Sequence, residues 1–199
     1  FSIDAAAQLA GKPSMMNPAG GEAATGHSHS GMDMETGRSQ NEKSGSELLS
    51  VSSQAKRALQ PVYVAYLQWK DALAGDNFNE GKKAAVSMKR EWDKTNMSLF
   101  QGEAHNRWME YQGKLDNSLQ HVKHFDDIEQ LRKTFQKVSD VMIDMTNTFD
   151  PLQEAIYVQH CPMADNNKGA DWLSTEREIR NPYFGSSMLT CGEVTKEIK

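Results

Sequence analysis

The sequence predicts an all-α protein: an antiparallel four-helix bundle with a loop-rich C-terminal cap, preceded by a flexible tail. Three observations carry this expectation. From residue 46 to residue 150, apolar side chains recur in steps of three and four, the period of a helix face. Short polar turns separate the periodic stretches, as antiparallel neighbours in a bundle require. Nowhere do strand-like and helix-like stretches alternate.

Taken in order, residues 1–20 open with Phe1-Ser2-Ile3-Asp4-Ala5-Ala6-Ala7-Gln8-Leu9, which reads as a strand end running into a short helix. The piece is too short to bury a core of its own. Residues 21–45 are rich in Gly, Ser, Thr and other polar residues, with too little apolar surface to offset the entropy of ordering, and read as a flexible linker. The helical domain follows, over 46–199. Ala55, Leu59, Val62, Tyr66, Trp69 and Leu73 form one face of a first helix, which Pro61 either kinks or restarts. Gly75-Asp76-Asn77 ends it. Ala85, Met88, Trp92, Thr95 and Leu99 line a second helix, and Gln101-Gly102 punctuates. Trp108, Tyr111, Leu115, Leu119 and Val122 line a third, weakened at Gly113. Ile128, Leu131, Phe135, Val138, Met142, Met145 and Phe149 form the most regular seam, with Asp126 and Asp127 placed to cap its N-terminus. After Asp150-Pro151, Ala155-Ile156-Tyr157-Val158 is a brief β-prone run. The Cys161–Cys191 segment reads as a cap packed on the bundle through Trp172, Tyr183 and Phe184.

The bulk properties narrow the function classes. The 199 residues carry a net charge of -5 with signs interspersed, so there is no basic stripe and nucleic acid is not an expected partner. No run of about 18 apolar residues is present, so no membrane span is expected. The chain begins at Phe1 without a charged n-region or apolar h-region, and reads as a processed protein or an excised fragment. The eleven methionines are mostly expected to fill core gaps.

Chemistry concentrates near the C-terminus. Cys161 lies in His160-Cys161-Pro162-Met163, and Cys191 closes Met188-Leu189-Thr190-Cys191-Gly192. Thiolate, thioether and imidazole donors suit a soft monovalent ion, Cu(I) or Ag(I), better than a hard cation. The expected metal ligands are Cys161, Met163, Met188 and Cys191, with His160 as an additional or replacement ligand. The rival is a disulfide between Cys161 and Cys191, which would close a loop of about 30 residues, worth roughly 3–4 kcal/mol. His27, His29, Met32 and Met34, within Gly26-His27-Ser28-His29-Ser30-Gly31-Met32-Asp33-Met34, make a weaker second candidate site. His121 and His124, with His105 upstream, read as surface histidines. No Gly-x-Ser-x-Gly elbow, phosphate-cradling loop or His-Glu-x-x-His motif is present, and an enzyme is not expected.

The first nine residues are similar to the closing segment of the periplasmic adaptor, or membrane-fusion, subunits of heavy-metal efflux systems of the resistance–nodulation–division class. From Ser46 the chain resembles a helical domain of uncharacterised type appended to some copper/silver adaptors or exported alone. The resemblance rests on Tyr66-Leu67 with Lys70-Asp71-Ala72-Leu73, on His160-Cys161-Pro162-Met163-Ala164, and on Gly169-Ala170 with Trp172-Leu173-Ser174. It continues through Glu178-Ile179, Asn181-Pro182-Tyr183-Phe184-Gly185 and Met188-Leu189 with Cys191-Gly192. It implies a periplasmic location, a copper or silver theme, and partners among the inner-membrane pump and other efflux components, with a periplasmic metallochaperone as a further one. The expected function is Cu(I)/Ag(I) binding and hand-over within an efflux adaptor. The alternative is a disulfide-stapled protein-interaction domain with no metal site, and a third reading is a redox-sensing module in which oxidation of the cysteine pair switches metal release.

Overall fold

Four long helices form where the periodicity places them. α1 spans Ser53–Ala74, α2 Phe78–Asp93, α3 Glu103–Leu119 and α4 Ile128–Phe149. The computed structural model describes residues 47–198. The adaptor-like residues 1–20, the tail over 21–45 and the candidate ligands His27, His29, Met32 and Met34 lie outside the described residues.

Local chemistry sets the helix ends. Ser52 Oγ accepts from Ala55 N (3.1 Å) at the start of α1. Asn77 Oδ1 does the same for Glu80 N (3.2 Å) at α2, and Asp127 Oδ1 for Gln130 N (2.8 Å) at α4. Pro61 sits inside α1 without ending it. The expected second and third helices stop earlier than their patterns suggest: Leu99 falls in a separate 3-10 turn, Met97–Leu99, and Val122 in another, Val122–His124. The helices bury one continuous core that includes Leu59, Trp69, Met88, Trp108, Leu115, Phe135, Met142 and Met145.

The all-α expectation is wrong, because the C-terminal segment is not a loop-rich cap. It forms a three-stranded antiparallel sheet, making the fold mixed α/β. β1 spans Ile156–Cys161, β2 Ala170–Ser174 and β3 Glu193–Ile198, in the order β2-β1-β3. β1 is the centre, pairing Cys161 with Ala170 on one side and His160 with Glu193 on the other. The reason it escapes a pattern search is burial. Trp172, Leu173 and Ser174 are consecutive and all buried, which erases the two-residue alternation that marks a half-exposed strand. β3, by contrast, is mostly polar and partly exposed, and carries almost no apolar signal.

β2 lies against α4, and its free edge is closed by two tyrosines. The Tyr66 hydroxyl accepts from Leu173 N (3.0 Å), and the Tyr183 hydroxyl donates to the Asp171 carbonyl (2.5 Å). Because Tyr66 is already an acceptor there, its proton is free for Ser139 Oγ at 2.8 Å on α4. An edge that would otherwise offer unpaired backbone groups is thereby covered from α1 and from the loop that carries Tyr183. Burial drives the pKa of the Tyr66 phenol far above its ordinary range, so it remains protonated for this role. Aromatic rings continue the attachment: Trp172 meets Tyr183 edge-on (5.7 Å), Tyr183 lies 6.0 Å from Phe135, and Phe135 stacks on Tyr66 at 5.0 Å. Buried Lys70 adds a polar tie, pairing with Asp71 at 2.8 Å and reaching Ser174 Oγ at 3.5 Å.

Candidate metal centre

Cys161 ends the central strand and is fully buried. Cys191 stands one residue before Gly192 and two before the start of β3, where the register His160–Glu193 brings the chain back alongside β1. The two sulfurs are 3.8 Å apart and both cysteines are free. Residues thirty apart in sequence are thus brought together by sheet pairing.

Three features hold the Cys191 turn in place. Gly192 has φ +143°, and a Cβ there would lie 2.6 Å from the His160 carbonyl oxygen and 3.2 Å from the Trp172 ring, so only glycine lets the turn settle on β1. Asn181, fully buried, donates from Nδ2 to the Cys191 carbonyl (2.8 Å). Its backbone N–H donates to Leu189 O (2.8 Å), and its Oδ1 accepts from Tyr183 N (2.9 Å). The third is a clamp: Arg132 on α4 donates to Pro182 O (3.1 Å), Leu73 O (3.3 Å) and Asp76 Oδ1 (2.5 Å), while Asp76 Oδ2 accepts from Ser186 N (2.8 Å). Hydrogen bonds from Ser186, and then from Arg132, hold the Asp76 carboxyl down to about 2. Gly185, with φ +55°, passes so close to Asp76 that a Cβ would collide with the carboxylate.

The β1–β2 connection is unusual. Asp165, Asn166 and Asn167 have φ of 49°, 56° and 66°, three left-handed residues in a row, a conformation that Asp and Asn tolerate better than other non-glycine residues. This turn lets Gly169 (φ +86°) pass directly over the His160 ring.

The remaining expected ligands are placed differently from the two thiols. His160 and Cys161 are consecutive on a strand, so their side chains leave opposite faces. The His160 Nδ1 is 2.7 Å from Asp171 Oδ1, its cross-strand neighbour. Met163 is 45% exposed and lines a cleft with Lys133, Lys137 and Asp140 of α4 and with Phe184. Met188 is 38% exposed, and its carbonyl accepts from Cys191 N (3.0 Å), so thioether and thiol arise from one tight turn. Among the described residues, no third His, Cys, Asp or Glu joins the thiol pair. His121 and His124 are exposed beyond the end of α3.

The geometry restricts the chemistry. At a metal–sulfur distance of about 2.3 Å, sulfurs 3.8 Å apart subtend an angle of about 110°. That angle is bent rather than linear, and leaves room for a third soft donor. The Cys191 thiol is held above its ordinary range by its hydrogen bond with Cys161, then by desolvation and the neighbouring charge. A soft ion bound here would have to displace that proton, which would make its affinity rise with pH. Sequence reasoning missed Asp76, Arg132 and the roles of Gly169 and Gly192. The run Asn181-Pro182-Tyr183-Phe184-Gly185 was the visible sign that this loop is anchored.

A sequence family described as a protein of unknown function, DUF3347, matches residues 62–154, from within α1 to just past α4. That helical stretch is similar to an uncharacterised family, in keeping with a helical domain of the appended kind. The sheet and both cysteines lie beyond the matched residues. No curated protein and no solved structure matches the chain. No helix among the described residues is long and apolar enough to cross a membrane.

Proposed function

We propose that this chain binds Cu(I) or Ag(I) between Cys161 and Cys191 and passes the ion on without chemical change. The observation that carries this reading is the thiol pair itself: two free sulfurs 3.8 Å apart, one buried on a strand and one at a partly exposed turn. A pair so arranged offers a soft, bent site with one accessible side, and Met188 supplies a thioether from the same turn as Cys191. Hand-over is ligand exchange at that open side, so the chain acts as a carrier rather than an enzyme. The resemblance to copper/silver efflux adaptors supports a periplasmic setting, with the inner-membrane pump or a metallochaperone as exchange partner.

Anaerobic competition of the reduced protein against a chromogenic Cu(I) chelator tests the reading. One ion is expected per chain, with binding lost in Cys161→Ser. Equal competition by wild type and variant would remove the site from these residues. The same sulfur separation favours one other reading, a permanently stapled interaction domain. Alkylation after mild reduction decides between them: two free thiols that then take up Cu(I) favour the metal site, and a disulfide that resists reduction favours the staple.

A further inference from the structure

The two sulfurs differ in access far more than in position. Cys161 is fully buried at the end of the central strand, whereas Cys191 is partly exposed on the turn before β3. A disulfide needs a sulfur–sulfur distance of about 2.05 Å, so the pair must close from 3.8 Å. The backbone bonds that fix Cys191, from its N–H to Met188 O and to its carbonyl from Asn181 Nδ2, do not involve its side chain. Closure of the pair by rotation about side-chain bonds would leave both anchors in place.

We propose that Cys161 and Cys191 are a reversible dithiol–disulfide couple, with Cys191 the entry thiol and Cys161 the resolving thiol, whose oxidation closes the metal site. The last clause rests on the metal reading above; the exchange chemistry does not. The oxidant is a small-molecule disulfide. The Cys191 thiolate, its proton released to solvent, attacks one sulfur of the reagent. The reagent's S–S bond breaks, and one thiolate leaves and takes up a proton. The deprotonated Cys161 sulfur then attacks Cys191 Sγ, forming the internal bond and expelling the second thiolate, which is protonated in turn. Two electrons and two protons pass from the protein to the reagent. An ion held by both sulfurs blocks the first step.

Oxidised glutathione is the probe, applied to the full chain, with free thiols counted by alkylation and intact mass. Wild type is expected to lose both thiols and end without an adduct. Cys161→Ser should stop as a single glutathione adduct on Cys191. Cys191→Ser should stay unmodified, because the buried Cys161 is out of reach. Prior loading with Ag(I) should protect both wild-type thiols, and oxidised protein should no longer retain Ag(I). Persistence of both wild-type thiols, or an adduct on Cys191→Ser formed as fast as on Cys161→Ser, would overturn the couple. If the disulfide forms as described while reduced protein fails to bind Ag(I), the exchange chemistry stands and the metal reading falls. If Ag(I) binds but the thiols resist glutathione, the reverse holds. Wild type and the two single variants guard one another, since a misfolded Cys161→Ser would expose its remaining thiol without altering the wild-type result.

Discussion

At Gly192 the backbone runs at φ +143°, and an added Cβ would stand 2.6 Å from the His160 carbonyl, an atom fixed in the central strand. The turn has to move if that position carries a methyl group. Gly192→Ala is therefore expected to lower the melting temperature and to separate Cys191 from Cys161, slowing disulfide closure by oxidised glutathione; unchanged closure would show that the contact does not position the turn. Asp76 makes a second single-residue prediction. Its carboxyl is held at about 2, below the ordinary 3.8, by Ser186 and Arg132. A depressed carboxylate contributes stability above its unfolded pKa, and that contribution is lost as pH falls through the folded value. Between about pH 4 and pH 2, then, the 182–186 loop should loosen, which the near-UV circular dichroism of Tyr183 as a function of pH would detect. Asp76→Asn should remove this acid dependence. At Cys161 itself, Ser would place a hydroxyl where a thiol is fully buried, costing about 1–3 kcal/mol, a loss that circular dichroism should show the helices survive.

At the scale of elements, the β2 edge depends on two hydroxyls. Tyr66→Phe leaves Leu173 N–H and Ser139 Oγ without their shared partner, and should cost about 1–3 kcal/mol in urea unfolding. A cost near zero would mean the edge needs no cover from α1. Which elements could be read from the sequence follows from how much of each is exposed. The helices showed themselves because each has a buried face and a wet one: α4 keeps Leu131, Phe135, Val138, Met142, Met145 and Phe149 inside and polar residues outside. The capping role of Asp127 was legible for the same local reason. β2 was not, since Trp172, Leu173 and Ser174 are all buried and show no alternation. The left-handed run Asp165-Asn166-Asn167 was equally hidden, because Asp and Asn favour many turns and only the demand of joining β1 to β2 selects this one. The two cysteines were legible as soft donors. Their meeting at 3.8 Å comes from the pairing of β1 with β3, which no spacing in the sequence reports.

At the scale of the whole described unit, the sheet has no core separate from the helices. Ile156, Val158, Cys161, Trp172 and Leu173 belong to the same buried cluster as Trp69, Phe135 and Phe149. Bundle and sheet should therefore unfold together, so helical circular dichroism and exposure of Cys161 to alkylation should share one denaturation midpoint. Separate midpoints would mean that the thiol pair rides on an independently melting piece. This continuity also gives the proposed site its rigidity: the helices fix β2, β2 fixes β1, and the Arg132 clamp and Asn181 fix the turn bearing Cys191. The central claim, that this scaffold holds a soft ion between its two thiols, is tested most directly by X-ray absorption at the copper edge of anaerobically Cu(I)-loaded protein. The account predicts a first shell of two or three sulfurs at about 2.3 Å, absent from Cys191→Ser, which should not retain the ion. A first shell of nitrogen or oxygen, or one unchanged by that substitution, would contradict it.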